Sequence, residues 1–141
     1  INSKFDLNCD KECRMSYKLV HGSDIQIHNG KLVVIESTDN TQWKFDGVSK
    51  VSIDYCTNCS MELHNVIDFK ASRVTKSTID IRQVTGEVQI ADLLDDSKIL
   101  CRNESQAIHI IENTELYKYG AVKKLGGSFV IEDSKIEVRY E

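Results

Sequence analysis

Residues 51–63 read VSIDYCTNCSMEL. The first half alternates apolar and polar side chains as a half-buried strand does, and the alternation resumes at Met61 and Leu63. Between them stands Cys56-x-x-Cys59. Such a step is a metal clip, a thiol redox pair, or a corner at which one strand hands over to the next. The three readings place the chain in different classes: a metal-stabilised module, an enzyme, or a binding scaffold.

The surrounding sequence favours the corner. Short alternating segments fill the chain: Ile25/Ile27, Val33/Ile35, Trp43/Phe45, Val51/Ile53/Tyr55, Met61/Leu63, Ile67/Phe69, Ile79/Ile81, Val88/Ile90, Ile108/Ile110, Phe129/Ile131 and Ile136/Val138/Tyr140. Most are β-branched, as a pleated surface prefers, and helix-period stripes are hard to find. Segment centres recur about every nine or ten residues, and every second one returns after about eighteen to twenty. That beat predicts an all-β chain wound as a right-handed parallel β-helix, with an antiparallel β-sandwich as the alternative. Only Asn29-Gly30 and Asp46-Gly47 supply tight-hairpin pairs, whereas Thr57-Asn58, Thr75-Lys76-Ser77 and Asp95-Asp96-Ser97 suit the corners of coils. Ser128 to Glu141 reads as a C-terminal hairpin, two alternating strands joined by Glu132-Asp133-Ser134. Residues 1–24 carry the least pattern.

Composition narrows the function. The 141 residues make one ordinary domain, 1–141, large enough to bury its own core. Lys and Arg number 18 against 22 acidic residues, a net charge of −4 with no long basic run, so nucleic acid is not an expected partner. Nothing approaches the roughly 18 apolar residues of a membrane span, and INSKFDLNCDKE has no signal-peptide core, so no membrane partner is expected. Five cysteines cannot all pair internally, which favours a reducing, cytoplasmic setting. The sequons at Asn58 and Asn103 supply the alternative, a secreted or viral β-rich binding module.

Chemistry-bearing patterns are sparse. A zinc site at Cys56 and Cys59 needs a second pair, and Cys9-x-x-x-Cys13 has one residue more than the usual knuckle. A thioredoxin-like role needs a helix after residue 59, and none is apparent. The cysteines are therefore expected to be small apolar residues at a coil corner, with no metal and no cofactor. His21, His28, His64 and His109 stand singly, without a Gly-rich phosphate loop, a Ser-His-Asp arrangement or paired carboxylates. Asp95-Asp96 and Asp39 are expected to face water. A non-enzymatic chain is expected.

Val51-Ser-Ile53-Asp54-Tyr55-Cys56-Thr57-Asn58-Cys59 resembles the I-D-x-C-x-x-C coil of the β-helical domain shared by cyclase-associated proteins and tubulin cofactor C-like proteins. Upstream, Val34-Ile35, Asn40-Thr41, Trp43/Phe45 and Gly47 are similar to the preceding coil of that family. Downstream, Ile79 to Ile90 around Gly86 is similar to its next coils, and Leu100 to Ser105, Ile108-His109-Ile110 and Asn113-Thr114-Glu115 to its late exposed coil. The resemblance covers residues 32–119. The chain departs from it in having no proline, no Gly-Lys-Lys-Trp-like opening and no counterpart of the arginine finger of the tubulin branch.

That resemblance implies an actin-monomer-binding domain that promotes nucleotide exchange on actin, a cytoskeletal regulator that dimerises through C-terminal strands. On this chain it implies partner contacts at the outward polar positions of the late coils, Arg102, Asn103, Ser105, Thr114 and Glu115, and a homodimer formed through the hairpin at 128–141.

Overall fold

The structure, a computed structural model, describes residues 3–114 and 116–141. It is a parallel β-solenoid of about five turns closed by an antiparallel segment. Two long strands show how the winding works. β3 (Ser23–Asp39) and β4 (Gln42–Thr57) lie parallel, with Asp24 beside Gln42 and Leu32 beside Lys50, so each residue meets the one eighteen positions further on. Both are bent, and one strand therefore serves two sides of its coil.

The first coil comes from the stretch whose sequence is least patterned: β1 (Ser3–Asn8) and β2 (Arg14–His21) both pair with β3. After β4 the two sides of the coil separate. β5 (Ser60–His64), β7 (Thr78–Asp80) and β9 (Lys98–Cys101) continue one side, while β6 (Asp68–Thr75) and β8 (Val88–Leu93) continue the other. All these pairings are parallel. The antiparallel sandwich is thereby excluded.

Inward residues stack in columns along the axis. Ile25, Trp43, Met61, Ile79 and Ile99 form one column; Ile27, Phe45 and Leu63 a second; Val33, Val51, Phe69 and Val88 a third. Trp43 and Phe45 stack with ring centroids 5.3 Å apart. Each such side chain contributes about 1.5–3 kcal/mol when fully removed from water, so the columns hold the fold together. On the long side the alternation changes phase. Ile35 is followed by a bend residue, Glu36, which has no partner in the ladder, and pairing resumes at Ser37 beside Tyr55. Lys18, Asp54, Ser72 and Ala91 occupy the same unpaired place in the other coils. The bend residue and the one after it both point outward, and the next inward column is Val20, Thr38, Cys56, Val74 and Leu93.

The corners need left-handed backbone. Gly22, Asn40, Asn58, Lys76 and Asp96 take φ between 48° and 62° at one corner, and Asn29, Gly47 and Asn65 lie between 52° and 81° at another. Asn and Gly tolerate that region most cheaply. At the first corner Gly22, Asn40, Asn58, Lys76 and Asp96 each donate their backbone N–H to a carbonyl in the next coil: Asp39, Thr57, Thr75, Asp95 and Ser134 respectively. Turn residues of the C-terminal hairpin thus complete the corner ladder.

One segment departs from the sequence reading. Ile108 and Ile110 are not a strand: residues Glu104–Asn113 form α1, the one α-helix among the described residues. Asn103 caps it, accepting the Gln106 N–H at 2.9 Å, and Ala107, Ile110 and Thr114 point inward at helical spacing. α1 packs on β8 and β9, and on β12 (Ile136–Tyr140). β12 adds in parallel to β9 as a last rung, then pairs antiparallel with β11 (Ser128–Ile131), which pairs with β10 (Lys123–Leu125). The expected hairpin is present, and its second strand caps the solenoid of its own chain.

Candidate interaction surface

Cys56 and Cys59 are buried, 1% and 4% exposed. Cys59 holds the corner position filled in other coils by Ser23, Thr41 and Ser77. In those coils the hydroxyl donates to the carbonyl two residues back: Ser23 to His21 at 3.0 Å, Thr41 to Asp39 at 2.8 Å, Ser77 to Thr75 at 2.9 Å. The Cys59 thiol does the same toward Thr57 at 3.3 Å. Cys56 stands in the inward column between Thr38 and Val74, and the hydrogen bond with Cys59, followed by burial, pushes its thiol up. Burial, with Asp80 adding, pushes Cys101 up to about 12. Cys9 and Cys13 sit at a different corner, between β1 and β2. Among the described residues no group of three His, Cys, Asp or Glu side chains is placed to hold an ion.

The residues expected to contact a partner divide. Arg102, Asn103 and Ser105 come together, lining a shallow groove with Gly86, Glu87 and His109 where α1 meets the coil before it. Two of the three are also structural. The Arg102 guanidinium donates to the carbonyls of Val84 at 3.0 Å and Arg82 at 3.4 Å, and Asn103 is the helix cap. Gln106 completes the fastening, accepting from the Arg102 backbone N–H and donating to the Ile81 carbonyl. Ser105 is exposed. Thr114 does not face outward. It is 1% exposed and its hydroxyl donates to the Ile110 carbonyl at 2.7 Å, because the segment is helical and Thr114 ends the inward stripe. Glu115 lies outside the described residues.

A surface absent from the expected contacts lies beyond the bend on the long side. There Leu19, Ser37, Tyr55 and Arg73 stand in register on successive coils. Adjacent strands in a sheet are about 4.8 Å apart, so the four form a continuous outward row. Leu19 is 70% and Tyr55 53% exposed, and the Arg73 guanidinium carbon lies 5.9 Å from the centre of the Tyr55 ring. Glu36 and Asp54, both exposed, flank the row with acid. At its far end Asp92 accepts from the Tyr119 hydroxyl at 3.2 Å, which anchors the segment after α1. Strict alternation from Val51 through Ile53 puts Tyr55 inside the core. The informative signal is instead the spacing i, i+2, i+5 shared by Val33/Ile35/Thr38, Val51/Ile53/Cys56 and Phe69/Ala71/Val74.

No protein-family model matches the chain, and no curated protein or solved structure compared with it does so.

Proposed function

We propose that the chain is a non-enzymatic docking scaffold whose partner is a folded protein met by the Leu19–Ser37–Tyr55–Arg73 row. The observation that carries this reading is the placement of an exposed Tyr under an exposed Arg on neighbouring coils of a rigid ladder. Tyr and Arg supply much of the binding energy at protein interfaces, and a ladder hydrogen-bonded on both sides loses little freedom on docking. The resemblance of residues 32–119 to the cyclase-associated domain names the partner to try first, monomeric actin, with promotion of its nucleotide exchange as the activity.

The test is a fluorescence titration of labelled actin monomer with the chain and with a Tyr55→Ala/Arg73→Ala variant, followed by release of a fluorescent nucleotide from actin. Saturable binding that weakens at least about tenfold in the variant is expected, since loss of two central contacts exceeds about 1.4 kcal/mol. No saturable binding by the unaltered chain removes actin. Equal binding by chain and variant removes this face.

A further inference from the structure

Cys9 and Cys13 flank the turn between β1 and β2, and their surroundings differ from those of the other three cysteines. Both are half-buried, whereas Cys56, Cys59 and Cys101 are buried. Their sulfurs lie 2.7 Å apart, the Cys13 thiol donating to the Cys9 sulfur. That separation brings the two sulfurs into direct contact, though it is longer than the roughly 2.05 Å of a disulfide bond. The backbone that carries them is tied down at both ends. The Cys9 N–H donates to the His28 carbonyl at 2.9 Å, and the Cys13 carbonyl accepts from Lys31 at 2.8 Å. Between them the Cys13 N–H closes the turn on the Asp10 carbonyl at 3.1 Å, and Asp10 Oδ1 accepts from the Glu12 N–H at 2.9 Å. The turn thus holds the two sulfurs side by side.

We propose that Cys9 and Cys13 are a redox-active dithiol, which a low-molecular-weight disulfide such as oxidised glutathione converts to an intramolecular disulfide while Cys56, Cys59 and Cys101 remain thiols. The odd cysteine count is then a sum of one exchangeable pair and three packing residues. The Cys13 thiolate forms a bond to one glutathione sulfur and the S–S bond of oxidised glutathione breaks, releasing one glutathione thiolate that takes up a proton. Cys9 then loses its proton to solvent and attacks the Cys13 sulfur; the Cys9–Cys13 bond forms, the mixed disulfide breaks, and a second glutathione leaves. Two protein thiols are oxidised and one small disulfide is reduced to two thiols. This proposal is independent of the docking face, since its readout is covalent.

The test uses the reduced full chain in buffers of graded reduced and oxidised glutathione, quenched with acid, unfolded, alkylated and mapped by peptide mass. As oxidised glutathione rises, Cys9 and Cys13 are expected to lose alkylation together, the intact chain losing two hydrogens and gaining no glutathione, with Cys56, Cys59 and Cys101 alkylated throughout. Cys9→Ser is expected to trap one glutathione on Cys13. Cys9 and Cys13 alkylated at every ratio, glutathione retained on both without a link between them, or a link from either to another cysteine would each overturn the proposal.

Discussion

Gly86→Ala tests the winding itself. Gly86 is followed by Glu87 and sits against Ile67 and Asp68 of the coil before it. A methyl group there would lie 2.5 Å from Asp68 Oδ1 and 2.7 Å from the Ile67 carbonyl oxygen. Neither oxygen is free to withdraw: the Ile67 carbonyl accepts from the Gly86 N–H at 2.7 Å, and Asp68 Oδ1 accepts from the Glu87 N–H at 2.8 Å. Relieving the overlap moves a carbonyl by several tenths of an ångström and lengthens both bonds. Overpacking costs about 1–3 kcal/mol and a weakened hydrogen bond about 0.5–1.5, so the expected loss is about 2–4 kcal/mol. Urea unfolding followed by circular dichroism and by the fluorescence of Trp43, the single tryptophan, reads it. With a slope of about 2 kcal/mol per molar, the midpoint falls by about 1–2 M. Gly126→Ala is the control. Nothing lies within 4 Å of a methyl group at Gly126, and its φ of 59° leaves only the left-handed penalty of about 1–2 kcal/mol. A Gly86→Ala loss below about 1 kcal/mol would refute the stacking of residue 86 on residue 67, and with it the coil-on-coil register at that corner.

Three further outcomes follow from named contacts. Asn58 has φ 56°, so Asn58→Ala is expected to cost about 1–2 kcal/mol and Asn58→Gly less than about half of that, measured by the same urea transition. Asn103→Ala removes the cap of α1 and is expected to lower stability by about 1 kcal/mol while leaving partner affinity unchanged, a result that binding and unfolding curves together separate from a contact role. Burial would raise the Asp80 pKa, but hydrogen bonds and charge from Arg82 outweigh it and hold that carboxyl below its usual range. A carboxyl depressed in the folded state adds stability above its unfolded pKa, and that stability is lost as pH falls through the folded value. Arg82→Ala raises the folded value, so acid unfolding followed by circular dichroism is expected to begin at a higher pH than in the unaltered chain.

The period was legible because a solenoid repeats its burial demand: Ile25, Trp43, Met61 and Ile79 are one requirement met four times. The first coil was hard to read because its apolar side chains cover only one neighbour; Phe5 is 49% exposed at a place where Ile25 and Trp43 are buried. Ile108 and Ile110 suit a period of two, whereas in α1 they point to opposite sides, Ile110 buried and Ile108 38% exposed. Only Asn103 ahead of Glu104, with Ala107, Ile110 and Thr114 spaced by three and four, distinguishes the cases. The groove at Arg102 lay in the expected region, yet the contacts of Arg102 and Asn103 run back into the fold. Tyr55 was lost through the phase change at Asp54, since alternation counts residues and a bend does not.

The Cys-x-x-Cys step belongs to the corner that follows that bend, where Asn58 takes left-handed backbone. The last inward column and the corner column are three residues apart in the three central coils and four apart at Leu93 and Ser97, because the chain turns between them. Thr38 and Thr41, Cys56 and Cys59, and Val74 and Ser77 are equivalent pairs, and all six are buried. One position asks for a small side chain in the core, the other for a small side chain able to donate to the carbonyl two residues back. Cysteine satisfies both requirements, so the motif fits the geometry of the coil. The bend before that corner leaves two consecutive residues pointing outward in each coil. Side chains such as Asp54 and Tyr55 are thereby concentrated on one face, and the bend that turns Cys56 inward is what builds the row of Leu19, Ser37, Tyr55 and Arg73.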